Sequence, residues 1–156
     1  MTIFTIGYEG VSLDSFLCRL TDAGVGVVVD VRDMPLSRKP GFSKTALSAS
    51  LERSGIGYRH VRELGCPKPI RDRYRADGDW DSYTEAYMEH MRGQQHALGD
   101  LSRLCATAPA ALLCYEADPN QCHRTYVARA VARLTNGVVA HIGPGVVTQE
   151  LAIVER

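Results

Sequence analysis

The chain lacks the spacings that usually announce a chemistry. Its five cysteines, Cys18, Cys66, Cys105, Cys114 and Cys122, form an odd, scattered set without a C-x-x-C pair. That argues against a disulfide framework and predicts reduced thiols in a cytoplasm. No apolar run reaches about 18 residues, so no membrane span and no membrane partner is expected. Met1-Thr2-Ile3-Phe4-Thr5-Ile6 has neither a basic flank nor a cleavage site and reads as a strand rather than a signal peptide. Tyr8-Glu9-Gly10 lacks the second and third glycines of a dinucleotide fingerprint. There is no net charge, with 18 Lys/Arg against 18 Asp/Glu. The sequence shows no internal repeat and no low-complexity tract, and it names no cofactor.

What is present is an alternation of two periodicities. Ile3 to Gly7 is a short β-branched run, and Leu13, Phe16, Leu17 and Leu20 follow at helical spacing, stopped by Gly24. Gly26 to Val31 is nearly continuous apolar, as in a strand buried on both faces. Ser43 caps a helix expected from Lys44 to about Ser54, and Ile56 to Val61 forms a third strand. Arg62 to Asp79, rich in Arg, Pro and Asp, reads as an irregular stretch that is mobile without ligand. Trp80, Tyr83, Tyr87, Met88 and Met91 keep helical spacing and read as a core stripe rather than a base-stacking platform. A further helix is expected from about His96 to Cys105 and a strand from Ala110 to Tyr115. A helix from Pro119 to Leu134 and a strand from Val138 to Ile142 follow. The last apolar run, Val146, Val147, Leu151, Ile153 and Val154, suits a strand or a short helix.

At 156 residues this predicts one domain, 1–156, of three-layer α/β/α architecture around a mostly parallel sheet of four to five strands. Right-handed crossovers gather the strand carboxyl ends along one edge. Tyr8, Glu9, Asp30, Arg32, His60, Glu116 and His141 are then expected around one crevice.

One stretch concentrates functional side chains: Leu112-Leu113-Cys114-Tyr115-Glu116-Ala117-Asp118-Pro119-Asn120-Gln121-Cys122-His123-Arg124. Asp118, Pro119 and Gln121 read as a capping box opening a helix. A thiol, an imidazole and a guanidinium then lie in its first turns, where anions are favoured and a thiol pKa falls. Together with Thr5-Ile6-Gly7-Tyr8 and Asp30-Val31-Arg32, this stretch resembles the bacterial domain of unknown function 488 family. The resemblance spans nearly the whole chain and implies a fold and a site, without a reaction.

Arg32 to Arg75 holds eleven Lys/Arg against four Asp/Glu, so the chain's basic residues are unevenly placed. This suggests an anion-facing surface more than a general nucleic-acid stripe, with a solvated basic loop as the alternative. Ser37 to Lys44, which resembles the family's loop, brings cations before a helix start but has one glycine and is no Walker A loop. The expected ligand residues are Tyr8, Arg32, Arg38, Lys44, His60, His123 and Arg124. Arg32 paired with Asp30 or Asp33, and Arg124 paired with Glu116, are the structural alternatives.

Cys122 is the candidate nucleophile, although neighbouring helical residues diverge by about 100°, which sets Cys122 and His123 apart. Cys114 reads as core. Glu9 and Glu116 are candidate acid–base carboxylates if their strands are neighbours. No pair among Cys114, Cys122, His123 and His60 has zinc-ligand spacing, so no metal is expected. These features predict a strand-end crevice for a small anionic ligand, a nucleotide or nucleic-acid fragment, with hydrolysis or group transfer as the chemistry. The alternatives are a non-catalytic nucleotide- or nucleic-acid-binding module and an enzyme dependent on Cys122.

Overall fold

The short β-branched runs become strands: β1 (Thr2–Gly7), β2 (Val27–Asp30), β3 (Gly57–His60), β4 (Ala110–Cys114), β5 (Val138–Gly143) and β6 (Val146–Gln149). The computed structural model describes residues 1–151. The six strands form one sheet in the order β3-β2-β4-β1-β5-β6. β1 to β5 are parallel, and β6 is an antiparallel edge added to β5. The sheet therefore has one strand more than expected, drawn from the tail at Val146 and Val147, while Ile153 and Val154 lie outside the described residues.

The helices are α1 (Leu13–Asp22), α2 (Lys44–Arg53), α3 (Lys68–Asp77), α4 (Trp80–Arg92), α5 (Gln95–Thr107) and α6 (His123–Thr135). Alternation along each strand divides the core into two faces. On one face Phe16 and Leu20 of α1 and Leu47 and Leu51 of α2 meet Ile6, Val28, Ala111 and Leu113. On the other, Tyr87 of α4, Leu101 of α5 and Val127 and Val131 of α6 meet Ile3, Val29 and Leu112. Each fully buried Leu or Phe contributes about 1.5–3 kcal/mol, so these two layers hold the sheet between them. Among the described residues no helix is long and apolar enough to cross a membrane.

Two expectations are corrected. Arg62 to Asp79 is not irregular: a 3-10 turn over Arg62–Leu64 precedes α3. Pro67 sits at its N-cap, Gly78 closes it in the left-handed region at φ 63, and the pairs Lys68–Asp72 and Arg73–Asp77 brace its outer face. Only Ile70 and Tyr74 anchor it in the core, an i, i+4 pair hidden among charges. The second correction is the start of the last helix. Asp118 accepts from the Asn120 N–H and caps only the 3-10 turn Pro119–Gln121. α6 begins at His123, with Cys122 extended at φ −146, ψ 138 as its N-cap.

Candidate functional site

β1 and β4 lie side by side, yet their connections leave toward opposite faces, to α1 and to α6. Such a reversal opens a crevice beyond the strand carboxyl ends. Here it is a cavity of about 510 Å³, walled by Tyr8 after β1, Arg32 after β2 and Cys114, Tyr115 and Glu116 at the end of β4. His123 of α6 forms part of its floor.

Backbone contacts fix the β1 and β4 ends against each other. Tyr8 and Glu9 N–H groups both donate to the Tyr115 carbonyl. At Gly7 a Cβ would lie 1.9 Å from the Glu116 carbonyl oxygen, so only glycine permits this approach. Gly7→Ala should therefore cost about 1–3 kcal/mol in urea unfolding, the range for overpacking; an unchanged midpoint would show that the approach is not needed. Arg124, only 1% exposed, donates from Nη1 to the same Glu116 carbonyl at 2.6 Å and from Nη2 to the Ala117 carbonyl at 3.5 Å.

Arg124 thus braces the turn through backbone carbonyls and is not the ion-pair partner of the Glu116 carboxylate. It lies behind the crevice wall rather than on it.

Arg32 is committed as well. It makes a two-pronged pair with Asp30, Nε to Oδ1 at 2.8 Å and Nη2 to Oδ2 at 2.7 Å. Nη1 donates to the Phe42 carbonyl and the Tyr8 hydroxyl. Burial works against the charge, but the hydrogen bonds and charge of Asp30 carry the guanidinium above its ordinary value. The pair is the structural one foreseen as the alternative, and it edges the crevice.

Two thiols and an imidazole converge at the floor. Because Cys122 precedes the helix in extended backbone, the divergence expected of adjacent helical residues does not apply. Cys114, Cys122 and His123 bring their donor atoms within 4.8 Å of one another. His123 Nε2 donates to the Val31 carbonyl at 2.7 Å, which turns Nδ1 toward Cys114 Sγ at 3.9 Å. Burial would raise the Cys122 thiol, yet hydrogen bonds from Cys114 and His123 and the charges of His123 and Arg124 hold it well below its ordinary value. Cys114, which donates to it and is buried, is pushed up. Cys114, read as core, lines the crevice, whereas Cys122 does not.

Glu116 is the other group out of its ordinary state. Burial, then the charge of Cys122, raises its carboxyl to about 7. Its Oε2 is buried without a hydrogen-bond partner among the described residues, as is Nε of Arg71 on the same crevice.

Several expected members lie elsewhere. The carboxylate of Glu9 accepts from the Ala117 N–H at 3.0 Å and does not line the crevice. His60 points from the edge strand β3 to the Arg32 carbonyl and lines a separate cleft beside α5. Lys44 is exposed at the start of α2, and its N–H is taken by the Pro35 carbonyl. Asp30 is fully buried beneath Arg32. His141 lies mid-strand, between Thr5 and Glu150. Arg38 does line the crevice and is exposed.

The irregular reading of 62–79 hid the opposite wall. Arg71, Tyr74 and Arg75 of α3 face the crevice, with Trp80 and Tyr83 of α4 beside them. Arg71 donates to Asp33, and Tyr74 to Gln121 of the turn before α6. Trp80 and Tyr83 stack at 4.5 Å, so the aromatic stripe packs the core and also presents ring surface to the cavity. Their i, i+3 spacing was the one available signal.

Fold and site together define an α/β domain with a cationic, aromatic-walled crevice at the carboxyl edge of a parallel sheet. Residues 12–131 match the family described as Domain of unknown function DUF488, and the chain belongs to that family. Comparison with curated proteins gives no match, and neither does comparison with solved structures.

Proposed function

We propose that the crevice binds a small anionic ligand bearing a planar ring, a nucleotide or nucleic-acid fragment, and that Glu116 acts there as a general acid in hydrolysis or group transfer. The observation that carries this reading is the Glu116 carboxyl: half-buried, enclosed and unpartnered at Oε2, and raised to about 7 on a wall shared with arginines and aromatic rings. A carboxyl half-protonated near neutral pH is poised to donate a proton to a leaving group. Arg38, Arg71 and Arg75 supply positive charge for phosphate or carboxylate, and Trp80, Tyr74 and Tyr115 supply faces for a ring. The reading places the protein in the cytoplasm, where its five free cysteines stay reduced.

Native mass spectrometry of the protein as purified identifies a retained ligand, and titration with nucleoside monophosphates ranks affinity. Arg38→Ala should weaken binding by about 1.5–3 kcal/mol, the scale of a hydrogen bond to a charged group. Glu116→Gln should leave binding within a few-fold while turnover falls about 10²–10⁴-fold. No affinity for any anion overturns the reading, and a ligand that binds without ever being turned over leaves the non-catalytic module. The dependence on Cys122 has its own support in the lowered thiol. Against it stands the geometry, since Cys122 is 2% exposed and lies behind the wall.

A further inference from the structure

The ligand-binding reading gives the two thiols and the imidazole at the crevice floor no contact with the ligand. We propose that Cys114, Cys122 and His123 form a site for zinc or a similarly soft divalent cation, with a fourth coordination position open to the crevice beside Glu116. The proposal goes beyond the function proposed above and does not depend on it.

The donor set is the first support. Two sulfurs and an imidazole nitrogen suit zinc, and three protein ligands with one open position is the pattern of catalytic rather than structural zinc. The spacing is the second. Zn–S and Zn–N bonds of about 2.3 and 2.0 Å place tetrahedral donors roughly 3.5–3.8 Å apart. Cys114 Sγ and His123 Nδ1 are already 3.9 Å apart, and all three donors lie within 4.8 Å, so small side-chain rotations close the site.

The surroundings are the third. A metal-bound imidazole characteristically gives its other N–H to a carbonyl or carboxylate, which fixes tautomer and ring plane. His123 Nε2 does this to Val31 and leaves Nδ1 facing the sulfurs. The donors also stand on rigid elements, the last residue of β4, the N-cap of α6 and its first residue. Binding leaves both sulfurs as thiolates and His123 neutral, and the displaced protons pass to solvent. Of the three donors, Cys114 and His123 reach the cavity wall, so the open position faces the ligand space where Glu116 stands.

The test uses the full chain, reduced, chelator-treated and titrated with Co²⁺. The expected result is one equivalent bound, with the visible bands of tetrahedral cobalt and near-ultraviolet thiolate-to-cobalt charge transfer, both erased by Zn²⁺. Cys114→Ser and Cys122→Ser should each lose charge-transfer intensity, while Cys18→Ser and Cys105→Ser keep the full spectrum. Should either site variant not fold, the wild type still decides through alkylation: Zn²⁺ should protect Cys114, which reaches the cavity, from iodoacetamide and leave Cys18 reactive. An octahedral spectrum, absence of stoichiometric binding, or alkylation of Cys114 at the same rate with and without Zn²⁺ overturns the site. A negative result in anion titration leaves the cobalt result standing, so failures of the two proposals are told apart.

Discussion

Arg32→Ala should cost about 3–5 kcal/mol of folding free energy, read as a lower urea midpoint at unchanged slope. The cost comes from what is left behind. Asp30 is fully buried, and the Arg32 guanidinium supplies a hydrogen bond to each of its oxygens. After truncation only the Arg32 N–H and the Tyr58 hydroxyl, at 2.5 Å, remain on the carboxylate. A buried carboxylate without its counter-charge is among the most destabilising states a core can hold. The Phe42 carbonyl and the Tyr8 hydroxyl lose their donor at the same time, which loosens the loop over the crevice. Arg32→Ala in an Asp30→Ala background should cost much less, and that non-additivity is the coupling between the two. A variant that keeps wild-type stability to within about 1 kcal/mol yet no longer binds anions would reverse the assignment and make Arg32 a ligand residue.

This pair shows how far the sequence reaches. Asp30-Val31-Arg32 at the end of an apolar run announces buried charge, but two residues' separation does not say whether the arginine turns inward or toward a ligand. The inward choice depends on Tyr8, Phe42 and Tyr58, which come from three other segments. The parallel sheet was legible for the opposite reason, since β1, β2, β4 and β5 each carry their own signal in three to five apolar or β-branched residues.

α3 was not legible because its burial is carried by Ile70 and Tyr74 alone, and the flanking Arg, Asp and Pro residues mimic a loop. Its helical state is set by contact with α4, a tertiary effect that local propensity does not contain. With α3 went Arg71, Tyr74 and Arg75, a third of the arginines and aromatic rings that line the crevice. The apparent capping box at Asp118 misled differently: its chemistry is real, but it closes a 3-10 turn, and the helix starts one residue past Cys122. That offset brings the thiol and the imidazole together. Cys114 is the last residue of a strand buried on both faces, and only the reversal of connections beside β1 turns it from core into crevice.

Glu116→Gln should flatten the acid-side pH dependence of stability by on the order of 3 kcal/mol between pH 4.5 and about 7. In the unfolded chain this carboxyl releases its proton near its ordinary value of 4.5; in the fold, burial and the charge of Cys122 delay release to about 7. Between those values the native state holds a proton that the unfolded state has lost. Its contribution is therefore complete below 4.5 and is lost as pH rises through 7. The wild type should weaken over that window and the variant, which keeps a neutral amide in place of the acid, should not. Urea unfolding at a series of pH values, on reduced and metal-free protein, measures both slopes, and their difference cancels the titrations that the two chains share. If Glu116 is the proposed general acid, activity falls as pH climbs past 7, whereas a spectator carboxyl leaves it level. If the two stability profiles run parallel, Glu116 titrates as an ordinary surface carboxyl, and the proposed acid loses its physical basis.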